Sequence, residues 1–234
     1  MKVKKPVVLL LSKSGGGKDT QAEILIKEHG FEMINSGAIL RGLRELLPKL
    51  KKGSIEWYEV TEIQKIINAG KFIPTLPMAC QWKATLMDFV RNPKKIKGIV
   101  FTGSPRKLAE AWLIREFFKN WPDAAERFAL YPVEIKLSDK EALYRLSHRK
   151  QCEKCGKIFS AEELKKVKKC DKCGGELIKR KDDSREGIRS RLREFKDYVI
   201  PVLDYFRKEK ILKGISGEKS IEKVHKDLAR AIGL

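Results

Sequence analysis

Val7-Val8-Leu9-Leu10-Leu11 runs directly into Ser12-Lys13-Ser14-Gly15-Gly16-Gly17-Lys18-Asp19-Thr20. An apolar run of this length, bounded by turn residues, reads as a buried strand. Three glycines let the backbone behind it curl until its N–H groups point inward at an anion. Lys18 adds a point charge. A helix expected over Gln21 to Glu28, closed by His29-Gly30, turns its positive N-terminal end to the same place. Strand, loop and helix therefore stand in the order a phosphate-cradling loop requires, although Ser12 replaces the first glycine of the usual G-x-x-x-x-G-K pattern. Gly15, Gly16, Gly17, Lys18, Asp19 and Thr20 are the expected nucleotide-phosphate contacts.

Downstream, strands and helices alternate. Ile34 to Leu40 passes from a short strand into a helix through Asn35-Ser36-Gly37, and Ile55 to Ala69 has helical apolar spacing that stops at Gly70. Pro74 and Pro77 punctuate a turn, with a helix expected from there to about Val90. Gly98 to Thr102 is a buried-type strand ending in Gly103-Ser104-Pro105-Arg106, followed by a helix over Lys107 to Phe118 and a strand over Val133 to Leu137. Ser138-x-x-Glu141 is a capping box for a helix that carries Arg145 and Arg149. A long helix resumes near Ser184. Ile211 to Ile215 and Ser220 to Ile232 supply a last strand and helix. This alternation predicts an α/β fold with a parallel sheet flanked by helices on both faces.

At 234 residues with 42% hydrophobic composition, the chain suffices for one α/β domain with insertions. The apolar run behind Met1-Lys2-Val3-Lys4-Lys5-Pro6 is too short for a signal h-region or a membrane span, so a cytoplasmic protein without a membrane partner is expected. A net charge of +20 points to a polyanionic partner: nucleic acid, or small phosphorylated ligands on a generally basic surface. Cys80 stands alone and reads as a buried small hydrophobe. Cys152-x-x-Cys155 and Cys170-x-x-Cys173, with fourteen residues between the pairs, read as a tetrahedral structural zinc site. His29, His148 and His225 form no ligand or triad pattern along the sequence. Trp57, Trp82, Trp112 and Trp121 fall in helical segments and read as packing residues rather than base-stacking platforms.

Taken together, these motifs resemble the adenylate kinase family in its long form, with a zinc-bearing lid, over essentially the whole chain. Asn35-Ser36-Gly37-Ala38-Ile39-Leu40-Arg41 is similar to S-T-G-D-L-L-R, which implies that Ser36 and Arg41 bind the acceptor monophosphate. Asn68-Ala69-Gly70-Lys71-Phe72-Ile73-Pro74 is similar to G-x-L-V-P, which implies that the backbone at Lys71, Phe72 and Ile73 lines the acceptor base. Gly103-Ser104-Pro105-Arg106 is similar to G-F-P-R, placing Gly103 and Arg106 at the acceptor phosphate. Arg145-x-x-x-Arg149 matches the lid arginines that contact ATP. Arg180-Lys181-Asp182-Asp183 and Arg191 match the lid's return hinge and its two phosphate-binding arginines, and Lys219 falls in the late loop beside the donor adenine.

The resemblance implies ATP·Mg²⁺ plus a nucleoside monophosphate, with AMP as the expected acceptor, and a monomer. It implies a P-loop core over residues 1–35, 77–145 and 184–234, with two mobile inserts: a monophosphate-binding segment at 36–76 and a zinc lid at 146–183. The chemistry agrees independently. Phosphoryl transfer needs two polyanions held in line with their repulsion cancelled, work for which planar, permanently charged guanidinium groups are suited. Lys18, Arg106, Arg149, Arg180 and Arg191 are the expected catalytic cations, with Arg41 a further one.

Three departures bear on function. Thr102 stands where the family carries an Asp that orders water on magnesium, and Asp19 follows the loop lysine where the family has Gly. Asp19 either takes over part of that metal role or is simply a favourable carboxylate in the first turn of a helix. Glu110 replaces the Gln that reads the acceptor adenine, with Ser104 in place of the neighbouring Phe. A carboxylate only accepts hydrogen bonds, which suits the donor-rich edge of guanine better than N1 of adenine. A kinase for GMP or another monophosphate thus stands as an alternative, as does a zinc-ribbon protein that binds nucleotide or RNA with little catalysis.

Overall fold

The computed structural model describes residues 3–69, 71–180 and 183–234. Gly70, the expected helix stop, and Lys181 and Asp182 of the hinge motif lie outside the described residues.

Five parallel strands form the central sheet in the order β2-β3-β1-β4-β8. They span Lys5–Leu11 (β1), Phe31–Asn35 (β2), Gly98–Thr102 (β3), Phe128–Lys136 (β4) and Lys213–Ser216 (β8). The unbroken apolar run of β1 has a simple cause. Its side chains alternate between faces, Val7, Leu9 and Leu11 entering one core and Val8 and Leu10 the other. The first core is closed by α4 (Thr75–Arg91), α5 (Leu108–Asn120) and α9 (Ile200–Lys208), and the second by α1 (Lys18–His29) and α10 (Ile221–Ile232). The predicted doubly covered parallel sheet is therefore observed.

Two segments interrupt the alternation of strands and covering helices, the first of them still packing Ile63 into the core of Val7 and Leu9. α2 (Ser36–Leu46) and α3 (Ile55–Asn68) fill the interval between β2 and α4. The second segment follows α7 (Asp139–His148) and holds a three-stranded antiparallel sheet in the order β6-β5-β7, with β5 at Lys150–Cys152, β6 at Ile158–Phe159 and β7 at Leu177–Ile178. α8 (Arg185–Glu194) returns the chain to the core through a π-helical turn at Phe195–Val199 that leads into α9.

Several element boundaries differ from expectation. α4 begins at Thr75, so Pro77 lies inside its first turn, where the missing N–H is an orphan in any case. β4 begins at Phe128 because it pairs with β1 along its whole length, from Lys5↔Phe128 to Leu11↔Glu134. Pro132 is tolerated there because β8 joins β4 only from Val133. Ile211 and Leu212 stay out of β8, since both N–H groups donate to the Phe206 carbonyl. α7 ends at His148, leaving Arg149 in an extended conformation just beyond it. Cys80 is exposed on α4 rather than buried. Trp82 is core, whereas Trp112 and Trp121 remain about half exposed, the latter stacked on Phe117.

Candidate active site

In an open parallel sheet the ligand crevice lies beyond the carboxyl ends of the strands, where the winding direction reverses. Here that point is β1, flanked by β3 and β4. Five of the segments singled out fall at such strand ends: the glycine loop after β1, Ser36 after β2, Gly103 to Arg106 after β3, Ser138 after β4 and Gly217 to Lys219 after β8.

The glycine loop owes its shape to local sterics. Gly15 and Gly17 hold left-handed φ values of 85° and 79°. A Cβ on Gly16 would sit 1.8 Å from Ser12 Oγ, so the serine that replaces the usual first glycine fills space only a glycine at 16 can concede. Lys18 Nζ folds back over the loop and donates to the carbonyls of Ser12 (3.0 Å) and Lys13 (3.1 Å). Burial pushes the Lys18 pKa down to about 8; Asp19 opposes the shift, while the Arg106 and Arg149 guanidinium groups add to it. An arriving phosphate would reverse it. Arg145 closes the loop from α7, donating to Gly217 O (2.9 Å) and Gly15 O (3.4 Å), with its Nε on Glu141 (2.7 Å).

Across the cleft, Ser36 Oγ donates to Ser104 Oγ at 2.7 Å, and Gly103 takes a φ of 81° that lets the ends of β2 and β3 pack together. Arg106 rests over the Phe72 ring, 4.9 Å from its centroid, within reach of the Glu194, Glu110, Asp19 and Arg191 charges. Glu110 is buried, and its carboxylate accepts from Arg106 N–H at 2.8 Å. Burial pushes the Glu110 carboxyl upward against that hydrogen bond and one from Ser104. Ile73 points into the core and Lys71 is exposed, so of that stretch only Phe72 presents its side chain to Arg106. Arg41 is exposed on α2, with its guanidinium over Gly37. Thr20 is exposed on the first turn of α1.

A third group joins the two ends of the lid segment. The Asp183 side chain is fully buried and accepts from Arg149 Nε (2.7 Å) and Nη2 (2.9 Å) and from Arg191 Nη2 (2.5 Å). The Asp183 N–H donates to the Arg180 carbonyl at 3.1 Å, which places Arg180 at the same root. Burial alone would raise the Asp183 pKa, but the hydrogen bonds from Arg149 and Arg191 outweigh it and hold the carboxyl below its ordinary value. A depressed carboxylate contributes stability that is fully present above about pH 3.9, the unfolded value, and is lost as pH falls through the lowered one. Asp183→Asn is therefore expected to shrink the loss of stability between pH 5 and acid, read by urea unfolding at each pH. An identical pH profile would contradict the pairing.

Within the lid, the four cysteine sulfurs fall within 4.8 Å of one another, with Cys152–Cys173 at 3.4 Å and Cys155–Cys170 at 3.5 Å. Tetrahedral Zn–S bonds of ~2.3 Å would set the sulfurs roughly 3.8 Å apart, so the set is compatible with zinc. Both knuckles turn on left-handed glycines, Gly156 and Gly174, whose N–H groups donate to the Cys152 and Cys170 carbonyls. Cys155 N–H donates to Cys152 Sγ at 3.5 Å, a hydrogen bond that favours the thiolate at that position, while the neighbouring sulfurs push the Cys173 thiol up.

Lys219, expected beside the donor base, is paired with Asp227 on α10 at 2.6 Å. The sequence reading missed Glu194, which sits among Arg106 and Arg191, and Lys13, which ties the loop to Asp139 (2.6 Å) and to the Leu137 carbonyl. Glu141 carried a signal, its i,i+4 spacing to Arg145.

A family model described as the adenylate kinase active site lid matches residues 149–182. The chain is 31% identical over 222 residues to an adenylate kinase of Thermodesulfovibrio yellowstonii, covering 93% of this chain and 94% of that protein. It is 29% identical over 223 residues to an adenylate kinase of Archaeoglobus fulgidus, covering 94% and 95%, and 27% identical over 230 residues to one of Elusimicrobium minutum, covering 97% and 98%. Fold, loop and lid define a P-loop nucleoside monophosphate kinase, an enzyme that moves a phosphoryl group between nucleotides. More narrowly, the chain belongs to the adenylate kinase family. Among the described residues no helix is long and apolar enough to cross a membrane.

Proposed function

We propose that the protein transfers the γ-phosphoryl group of ATP to AMP, giving two ADP. The observation that carries this reading is the convergence of Lys18, Arg106, Arg149 and Arg191 from four separate elements, close enough for Arg106 and Arg149 to depress Lys18 and for Arg191 to act on Arg106. Asp183 pairs with Arg149 and Arg191, and Glu194, Glu110 and Asp19 offset Arg106, so these carboxylates keep the cations gathered where a polyphosphate would meet them. In this reading Gly15 to Thr20, Arg145, Arg149 and Lys219 hold the donor, while Ser36, Arg41, Gly103, Arg106 and the backbone at 71–73 hold the acceptor. Arg180 and Arg191 span both phosphates. In this reading Glu110 serves adenine by accepting a hydrogen bond from its amino group.

Water is the competing acceptor, so the cleft must close before transfer. We assign that closure to residues 36–76 and 146–183 moving against the core. Cys152, Cys155, Cys170 and Cys173 would hold a structural zinc that lets the lid swing as one piece. Magnesium supplies charge neutralisation across the transferred phosphates when ATP is bound. Thr102 cannot assist it as a carboxylate would, being buried with its hydroxyl toward Met33 Sδ at 3.8 Å. Asp19, exposed beside Lys18, is the carboxylate available for that role. Asp19→Gly is expected to raise the Mg²⁺ concentration for half-maximal activity about tenfold; an unchanged titration would remove Asp19 from the metal's surroundings.

The reading is tested with ATP carrying a labelled γ-phosphoryl group. Label should appear as the β-phosphoryl of ADP formed from AMP. Label released as inorganic phosphate, with AMP unconsumed, would contradict it.

A further inference from the structure

Away from the cleft, α1 and α10 meet through three side chains that phosphoryl transfer does not use. His29 is the last residue of α1, Glu28 precedes it, and His225 lies buried on α10. The two Nε2 atoms stand 3.2 Å apart, and Glu28 Oε2 lies 3.8 Å from His225 Nε2. All three candidate ligand atoms fall within 4.8 Å of one another. The absence of a histidine pattern along the sequence was therefore no guide, because the topology assembles one in space.

Behind His225 the geometry is fixed. The Gln21 side-chain amide donates to the Ile221 carbonyl at 3.1 Å, which turns Gln21 Oε1 toward His225 Nδ1 at 3.2 Å. An amide oxygen only accepts, so Nδ1 carries the proton. Nε2 then presents its lone pair to His29 and Glu28. Metal-ligating imidazoles are oriented in this way, through a hydrogen bond from the ring nitrogen that does not ligate. Two imidazole nitrogens at 2.0–2.1 Å from a tetrahedral ion would lie ~3.3 Å apart, which the observed pair matches.

We infer that Glu28, His29 and His225 form a second metal site, distinct from the cysteine site of the lid, that takes a first-row divalent ion of the zinc class. Two imidazoles and one carboxylate suit zinc rather than the all-oxygen preference of magnesium or calcium. The site lies eleven residues beyond Lys18, roughly 16 Å along the helix, too far to touch substrate phosphates. Its consequence is mechanical. An ion held there ties the far end of the loop-bearing helix to the last helix of the chain, joining residues 196 positions apart in sequence, and stabilises the native state by an amount that grows with the logarithm of free metal above its Kd. Without metal the rings share a single proton across the same 3.2 Å contact.

The test uses the full-length, untagged protein with its lid filled by one zinc, equilibrated with micromolar Zn²⁺ and analysed for metal content and thermal unfolding. Two zinc ions per chain are expected, with a rise in Tm on filling the second site. His225→Gln and His29→Gln should each return the count to one, weaken the second site at least about tenfold and abolish the Tm response. His29 is only half buried, so its variant keeps the question open to measurement should the His225 variant fold poorly. One zinc per chain in the unaltered protein, or two retained in both variants, would overturn the assignment.

Discussion

Replacing Lys18 with methionine is expected to lower kcat/KM by about 10³-fold while leaving the fold intact. The ammonium is held over the loop by two carbonyls, at 3.0 and 3.1 Å, and stands among Arg106 and Arg149. It is thus preorganised where phosphate charge would sit, and removing one such donor from a water-poor site costs about 10²–10³ in rate. Methionine keeps most of the chain volume and removes the charge together with its two hydrogen bonds to the loop carbonyls. Relief of desolvation and of repulsion from two guanidinium groups offsets the lost hydrogen bonds and Asp19 attraction, so thermal unfolding should stay about level. Activity lost together with stability would instead mark Lys18 as a structural residue. Undiminished activity would remove the loop from catalysis.

Cys170→Ser is expected to reduce turnover by at least about 10²-fold through loss of lid order rather than of the core. The lid's buried cluster consists of Cys152, Phe159 and Cys170, with Leu164, Val167 and Leu177 packed against it. So small a cluster cannot offset the entropy of ordering some thirty residues. Structural zinc sites supply on the order of 10–16 kcal/mol, enough to decide whether such a segment folds. Arg149 and Asp183 sit at the two roots of the lid, so its unfolding also loosens a cation of the cleft. Proteolysis confined to residues 150–180, with the Tm of the core retained, should accompany the loss. Full activity with the lid intact would show that the four cysteines need no metal.

Where the sequence was informative, the signals were local. The glycine loop and the paired cysteine knuckles each depend on residues within one turn or hairpin and stand as expected, whereas the capping box at Ser138 is half formed: Ser138 Oγ accepts from Glu141 N–H, but Ser138 N–H donates to Glu218 and the Glu141 carboxylate holds Arg145. The apolar runs of β1 and β3 likewise declare strands buried on both faces. What was not legible depends on contacts between distant elements. The exposure of Cys80 depends on which face of α4 meets the sheet, and the start of β4 on how far β1 extends beside it. Glu110 reads as a base-recognition residue by position, yet its carboxylate also ties down the Arg106 backbone. Glu28, His29 and His225 meet only because α1 and α10 pack side by side on one face of the sheet. Neither helix announces that alone.

The acceptor is the point on which the functional reading turns, because Glu110 and Ser104 both depart from the family pattern at positions that reading gives to the acceptor. The decisive measurement offers AMP, GMP, CMP and UMP separately with ATP and Mg²⁺ and resolves the products by chromatography. Rapid, AMP-dependent ADP formation is the expected result, with the other monophosphates at least about tenfold slower. Turnover confined to GMP would make Glu110 an ionised guanine reader, and turnover with none of the four would contradict phosphoryl transfer itself.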